Sequence, residues 1–339
     1  MKKKKSFFGQ RQNKHTNPHV FFLSGENCIL EGHRFRNRIR FGAEGTVVGA
    51  GFGLLGRPLA KIATVGAKYG LMKPAGYALR GVDTLAVDKI WYTTPIGSSE
   101  KWTATFGPKI ENYYMYAAPV SLYRPGFHKA FKLGSLSGAF GASTKQGFGV
   151  KYVGDNGFAA STNIVSEGGA TTAGLFTKED GSKWDTMLAY TQDQYHVSLT
   201  LSQHDNDWSS YSYYATSSVV ADTGADATAY AARAYWRPEE SGTATPEISV
   251  GYDLISFDGN SGANKVKDAT SYFVGLGWPD MFQDSDYIGL GFGQPLKTTE
   301  TVNGDAAGDA GLDPFLWELT YSFKVNDSVT MIPAIFGGS

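Results

Sequence analysis

The chain has 339 residues, enough for one large barrel or two ordinary domains. Its 42 glycines, 19 tyrosines, 21 phenylalanines and 7 tryptophans, with charged residues at 19%, suit many short strands and turns better than a helical bundle. One cysteine, Cys28, excludes an internal disulfide framework, and the longest apolar run, Gly45 to Gly56, stops at Arg57, too short for a helical membrane span.

The net charge of −1 hides an asymmetry. Residues 1–40 carry ten Lys/Arg against Glu26 and Glu31, leaving 21 basic and 30 acidic residues for the remainder. The apolar stretches after this basic start, Ser6–Gly9 and Val20–Leu23, are shorter than the signal-peptide core of about 7–15 residues. Residues 1–33 therefore read as a basic leader, disordered or non-native, in preference to a nucleic-acid arm. His15, His19 and Cys28 match no standard zinc spacing, so no metal is expected there.

A barrel domain is expected over 34–339. In its first strand, 34–42, Arg36, Arg38 and Arg40 share one face and Phe35, Asn37, Ile39 and Phe41 the other. An arginine facing lipid at mid-depth costs about 2–4 kcal/mol, so the arginines are expected to face the lumen. Further on, Gly51-Phe52-Gly53-Leu54-Leu55-Gly56 spells a dinucleotide fingerprint. Such a site needs an acidic residue about 20 positions later, and Arg57–Val82 contains none, so no cofactor is expected.

From about residue 86 the sequence alternates with period two, the mark of strands. Tyr195, Val197, Leu199 and Leu201 oppose His196, Ser198, Thr200 and Ser202. Tyr272, Val274, Leu276 and Trp278 oppose Ser271, Phe273, Gly275 and Gly277. Ile288, Leu290 and Phe292 alternate with glycines, and Phe315 to Val325 repeats the pattern around Leu316, Glu318, Thr320, Ser322 and Lys324. The connections carry the stronger signal. Short ones at 95–100, 154–157, 192–194, 238–245, 279–285 and 326–328 alternate with long ones at 110–146, 166–183, 203–226, 257–268 and 296–313. In an up-and-down antiparallel sheet this puts every tight turn at one end and every long loop at the other, as in outer-membrane barrels. A Greek-key sandwich gives no such rhythm.

The faces agree with an all-β transmembrane up-and-down barrel. One face is apolar, with Trp91, Trp102, Trp184, Trp236, Trp278 and Trp317 placed for aromatic girdles. The other holds Lys151, Asp185, Arg233, Asp253, Glu318 and Lys324. A soluble sandwich would bury the apolar face and expose the charged one; alternation alone does not choose between them.

Lys89–Gly97, Gly149–Asn163, Ser271–Phe282, Ile288–Pro295, Trp317–Phe336 and Arg36–Arg40 together resemble the hairpins of cyanobacterial outer-membrane porins, relatives of the carbohydrate-selective porin family. The resemblance covers most of 82–336. It implies about sixteen strands, a homotrimer, and passage of small solutes. The family's S-layer-homology module has no counterpart in 1–33, and 43–81 departs from the pattern. About thirteen strands are recognisable, twelve of them from residue 86. Strand parity calls for one more descending strand after 336, so the chain is expected to be incomplete at its C-terminus and not to close a stable barrel alone.

Chemistry is not expected. His196 and His204 lie near Asp185, Asp205 and Asp207 in sequence, but no serine has a nucleophile's context. Asp305, Asp309 and Asp313 read as a solvated acidic loop more readily than as a calcium site. The segment 121–145 carries Arg124, His128, Lys129, Lys132 and Lys145 with no acid. Folded into the lumen, it would narrow the pore and raise the local anion concentration. The expected function is passive diffusion of ions and small hydrophilic solutes across the outer membrane. Lipid and lipopolysaccharide are the expected partners, and Arg36, Arg38, Arg40, Arg124, Lys129, Lys132, Lys151, Arg233, Asp253, Glu318 and Lys324 the expected pore lining. A sugar-selective pore, and a secreted β-sandwich adhesin or lectin, are the alternatives.

Overall fold

Alternating β-branched or aromatic and small or polar residues favour pleated strands over helix, and the structure, a computed structural model, is built from them. It describes residues 21–23, 28–30, 89–135, 139–140, 144–168, 174–175, 177, 179–205, 226–258, 266–302, 314–327 and 329–338. Among the described residues fifteen strands follow one another: β1 Phe21–Leu23, β2 Cys28–Leu30, β3 Ile90–Ile96, β4 Ser99–Ile110, β5 Lys145–Val153, β6 Phe158–Ser166, β7 Ser182–Thr191, β8 Tyr195–Asp205, β9 Asp226–Trp236, β10 Glu247–Asp258, β11 Val266–Pro279, β12 Tyr287–Thr301, β13 Leu316–Asn326, β14 Val329–Met331 and β15 Ala334–Gly338.

From β3 to β14 each strand pairs antiparallel with the next in sequence, so the sheet is a plain up-and-down meander. β14 and β15 both pair with β13, and the Tyr321 N–H donates to the Pro333 carbonyl between them, so they form one interrupted line beside β13. Twelve lines therefore run from β3, as the sequence predicts. Within the stretch expected to be a leader, β1 and β2 form a small hairpin, and β1 pairs with β3. Among the described residues no ladder joins β14 or β15 to β1–β3. The predicted arginine strand at 34–42 and the glycine fingerprint lie outside the described residues. No described helix is long and apolar enough to cross a membrane, which says nothing about crossing by strands.

Tight turns and long connections segregate to opposite ends of the sheet, as the spacing predicts. Gly97 and Gly157 take φ +66° and +88° in two of the turns, a conformation glycine adopts without a side-chain clash. One boundary moves: β12 runs to Thr301, so the predicted loop at 296 begins six residues later. Its inner face there carries the buried Leu296, Thr298 and Thr301.

The two faces are decided by burial. Along β8, Val197 and Leu199 are 51% and 52% exposed, whereas His196, Thr200 and Ser202 at the alternate positions are fully covered. The same inversion holds in β7, β9, β10 and β13, where Trp184, Tyr230, Tyr252 and Leu319 are exposed and Asp185, Arg233, Asp253 and Glu318 are buried. The outward face is thus apolar, and the inward face mixes buried polar side chains with the covered Met187, Ile255, Phe257 and Phe273. A soluble sandwich needs the reverse. Trp91 is a correction to the girdle reading: it faces inward and stacks on Tyr114, with ring centroids 4.9 Å apart.

Candidate functional site

The inner face is covered by the connection between β4 and β5, the 111–144 segment. It begins at the long-loop end, where Asn112 Nδ2 donates to Asn163 Oδ1 at 2.7 Å and to the Lys183 carbonyl at 3.2 Å. It then descends. The Ala117 N–H reaches Ser161 Oγ and the Leu122 N–H reaches Ser249 Oγ, each nearer the tight-turn end of its strand. At the bottom the Arg124 guanidinium lies 4.8 Å over the ring of Tyr287, the first residue of β12. The chain then turns back through Gly126–His128 and a short 3-10 stretch, Lys129–Gly134, to Thr144, whose hydroxyl donates to Glu111. The segment is a hairpin laid along the wall from one end of the sheet to the other.

Two chemistries hold it. The first is buried charge. Glu318 accepts from the Tyr123 hydroxyl at 2.9 Å and from three successive backbone N–H groups, Gly126, Phe127 and His128. Arg233 binds both oxygens of Asp253, at 2.9 and 3.0 Å, and donates to the Leu133 and Ser135 carbonyls of the segment. Its guanidinium also lies 4.4 Å from the Phe140 ring centroid. Lys183, fully buried, donates to the Ala139 carbonyl and pairs with Asp185 at 3.1 Å, while the Tyr116 hydroxyl donates to Asp185 at 2.6 Å. Burial, reinforced by the neighbouring carboxylates of Asp185 and Glu318, pushes the Tyr116 and Tyr123 phenols well above their usual range, so both remain donors.

The second is shape. Tyr123 occupies a slot in β11 and β12 floored by Gly275, Gly289 and Gly291. A Cβ added at Gly275 would meet the Tyr123 ring at 2.6 Å, so this face admits the ring only because side chains are missing. Phe273 and Tyr287 flank it, with ring centroids 5.1 and 6.5 Å from Tyr123.

These contacts sort the predicted lining residues. Arg233, Asp253 and Glu318 are 3%, 1% and 0% exposed, so they lie under the segment as its clamps and do not line open space. Arg124, Lys129 and Lys132 are exposed on the segment's outer side, and Lys132 sits over the Tyr113 ring. Lys145 and Lys151 are half-buried on the inner side of β5. Lys324 is exposed beside the tight turn that follows β13. Arg36, Arg38, Arg40, His15, His19, Asp305, Asp309 and Asp313 lie outside the described residues.

Both histidines of β8 are engaged with neighbouring side chains. Ser202 Oγ donates to Asp185 Oδ1 and contacts His204 Nε2 at 2.8 Å, so the serine proton is committed to the carboxylate and not to the imidazole. His196 stacks on Tyr235, its ring nitrogens held by Thr191 and Ser198. Among the described residues no cluster of His, Cys, Asp or Glu is fit to hold a metal. Sequence reasoning missed Lys183, Asn112, Tyr123 and Ser249. Inward parity with Asp185 was the available signal for Lys183; the others answer to a segment whose path no local pattern specifies.

No protein-family model matches the chain, and no curated protein matches it. Among solved structures, the chain is similar to the high-pH structure of Pseudomonas putida OprB. The identity is 13% and the TM-score 0.46, over 74% of this chain and 67% of that one.

Proposed function

We propose that the chain forms an outer-membrane porin giving passive diffusion of ions and small hydrophilic solutes, with the 111–144 segment narrowing the passage. The observation that carries this reading is the inverted sidedness: exposed Trp, Tyr, Leu and Val outside, buried Asp, Arg, Glu, Ser and Thr inside. Only a surface in contact with hydrocarbon favours that arrangement, and a meander meets the backbone's need for hydrogen bonds there when it closes. Lipid and lipopolysaccharide are then the outer partners and three copies of the chain the assembly. The protein acts by geometry and field alone, with no catalytic step and no cofactor.

The same reading gives a mild preference for anions. The segment carries Arg124, Lys129 and Lys132 against the single acid Glu111, which pairs with Lys89. Of the acids beneath it, Asp185 pairs with Lys183 and Asp253 with Arg233, Glu318 is hydrogen-bonded by backbone N–H groups, and Glu247 lies in the field of Arg124. A sugar-selective pore draws less support. Its candidate aromatics are covered, Phe273 by Tyr123 and Phe131 and Tyr235 by His196. The test is planar-bilayer recording of the full chain refolded in detergent. Stepwise conductance, with a band that shifts on heating, supports the reading, and it would overturn the expectation from strand parity that these 339 residues close no stable barrel alone. A folded, heat-shifting protein that gives no conductance overturns the reading.

A further inference from the structure

Glu318 is buried, yet its carboxylate is spent on the infolded segment. Oε1 accepts from the Tyr123 hydroxyl and the Gly126 N–H at 2.9 and 3.0 Å, and Oε2 from the Phe127 N–H at 3.0 Å and the His128 N–H. Three successive N–H groups converging on one anion form a backbone nest, here occupied by the protein's own side chain. The nest lies where the segment turns back from the tight-turn end, and there Phe127 stacks on Phe336 of β15 with centroids 3.5 Å apart. From this geometry we propose that Glu318 is a positioning residue for the passage: it fixes how far the turn of the 111–144 segment stands from the wall, and so sets the size of solute admitted. What the position controls rests on the pore reading above; the clamp itself does not.

Glutamine is the informative substitution because it keeps shape and reverses half the chemistry. A carboxylate only accepts, whereas an amide presents an NH2 on one side. In Glu318→Gln that NH2 must face either the Phe127 and His128 N–H groups or the Gly126 N–H, donor against donor. The segment should then leave the wall while the outer face and the ladders stay as they are.

Two readouts on the detergent-folded full chain test this. The first is trypsin cleavage after Lys129 and Lys132, both exposed just past the nest. It should run about tenfold faster in Glu318→Gln, since hydrogen bonds to a charged group are lost. The second is entry of graded polyethylene glycols in bilayer recordings, where the largest polymer excluded by the native protein should enter the variant. If Glu318→Gln fails to refold, Glu318→Ala refolded with and without acetate replaces it, because acetate restores the missing carboxylate to the nest. Protection returning with acetate supports the clamp, and no change with acetate overturns it. Unchanged cleavage in Glu318→Gln also overturns the clamp. Faster cleavage with an unchanged size limit overturns its control of the passage. Faster cleavage in a protein whose native form never conducts leaves the clamp standing and defeats the pore reading instead.

Discussion

Two stretches of one wall hold one segment in opposite ways. Across β7–β10 the wall uses charge, with Lys183–Asp185 and Arg233–Asp253 buried and bonded to carbonyls of the segment. Across β11–β12 it uses absence, with Gly275, Gly289 and Gly291 leaving a slot that the Tyr123 ring fills. The charges meet backbone groups, which need hydrogen bonds wherever they are buried. The glycines meet a ring, which needs room. The difference teaches that an inward charge in such a sheet is not by that fact a pore-lining charge, since its partner can be another part of the chain.

The comparison breaks most visibly at Arg233. Arg233→Met leaves Asp253 buried without its cation, though still accepting from Ser271, and takes the guanidinium away from the Leu133 and Ser135 carbonyls. Removing one member of a buried pair costs about 3–5 kcal/mol. Urea titration of the heat-shifting band in detergent should show a loss of that size. Adding Asp253→Leu should recover much of it, because the stranded charge goes too. A loss below about 1 kcal/mol from Arg233→Met would mean the pair is wet.

How much of this was legible in the sequence follows from the same contrast. The strands, their faces and the loop rhythm are local or periodic properties, so Val197/His196 alternation and the 110–146 gap could be read directly. That the 121–145 stretch was basic was legible too, and Arg124, Lys129 and Lys132 are exposed. The clamps were legible only as inward charges. Glu318 and its partner Tyr123 are 195 residues apart, and nothing in either neighbourhood encodes the pairing. The glycine alternation in β12 was visible as a face but not as a socket, because a socket is defined by its occupant. Trp91 was misassigned because β3 carries two adjacent rings: Tyr92, paired with the exposed Phe106, takes the outward place, and Trp91 shares the inward parity of Thr93, which pairs with the buried Thr105.

Acid should strain the segment where it turns back. His128 packs among Phe127, Phe131 and Phe336. Burial, opposed by the backbone of Trp317 and Gly337, lowers its pKa from 6.5 to about 4. The unfolded chain therefore takes the proton first. The neutral ring's contribution is whole above about pH 6.5, declines below it, and is gone once the pH has fallen through about 4. The full swing is roughly 3 kcal/mol. Stability measured from pH 7.5 to 3.5 should fall by about that much more in the native chain than in His128→Leu. Parallel curves for the two proteins would count against a buried neutral imidazole.

The shape-based half of the comparison is probed at Gly275. In Gly275→Ala the new Cβ meets the Tyr123 ring at its root, 2.6–2.7 Å away, where the ring cannot simply swing aside. Overpacking of this kind costs about 1–3 kcal/mol. Combined with Tyr123→Ala the penalty should shrink to what the Phe273 ring tip, 2.5 Å from the new Cβ, still imposes, giving a non-additive cycle, since Gly275 and Tyr123 touch. Additive losses would show that the slot and the ring are independent.

The smallest expected effect concerns the exposed side of the segment, where neither clamp operates. Lys129 and Lys132 are exposed there, so reversing them disturbs little packing, and changes at such surface sites usually alter stability by less than about 0.5 kcal/mol. Their influence is through the field. At an ionic strength near 0.1 M the screening length is about 10 Å, comparable with a narrow passage, so two ammonium groups on the constricting segment bias which ions enter. Lys129→Glu with Lys132→Glu should therefore shift the reversal potential in a salt gradient toward cation selectivity. At 1 M salt, where the screening length falls to about 3 Å, the shift should shrink sharply. Conductance should stay within the native range, because Glu318, Arg233 and Tyr123 still hold the segment in place. A potential that does not move while conductance is normal would put the exposed side of the segment away from the ion path. The clamps would then position a plug beside the passage, not the constriction within it.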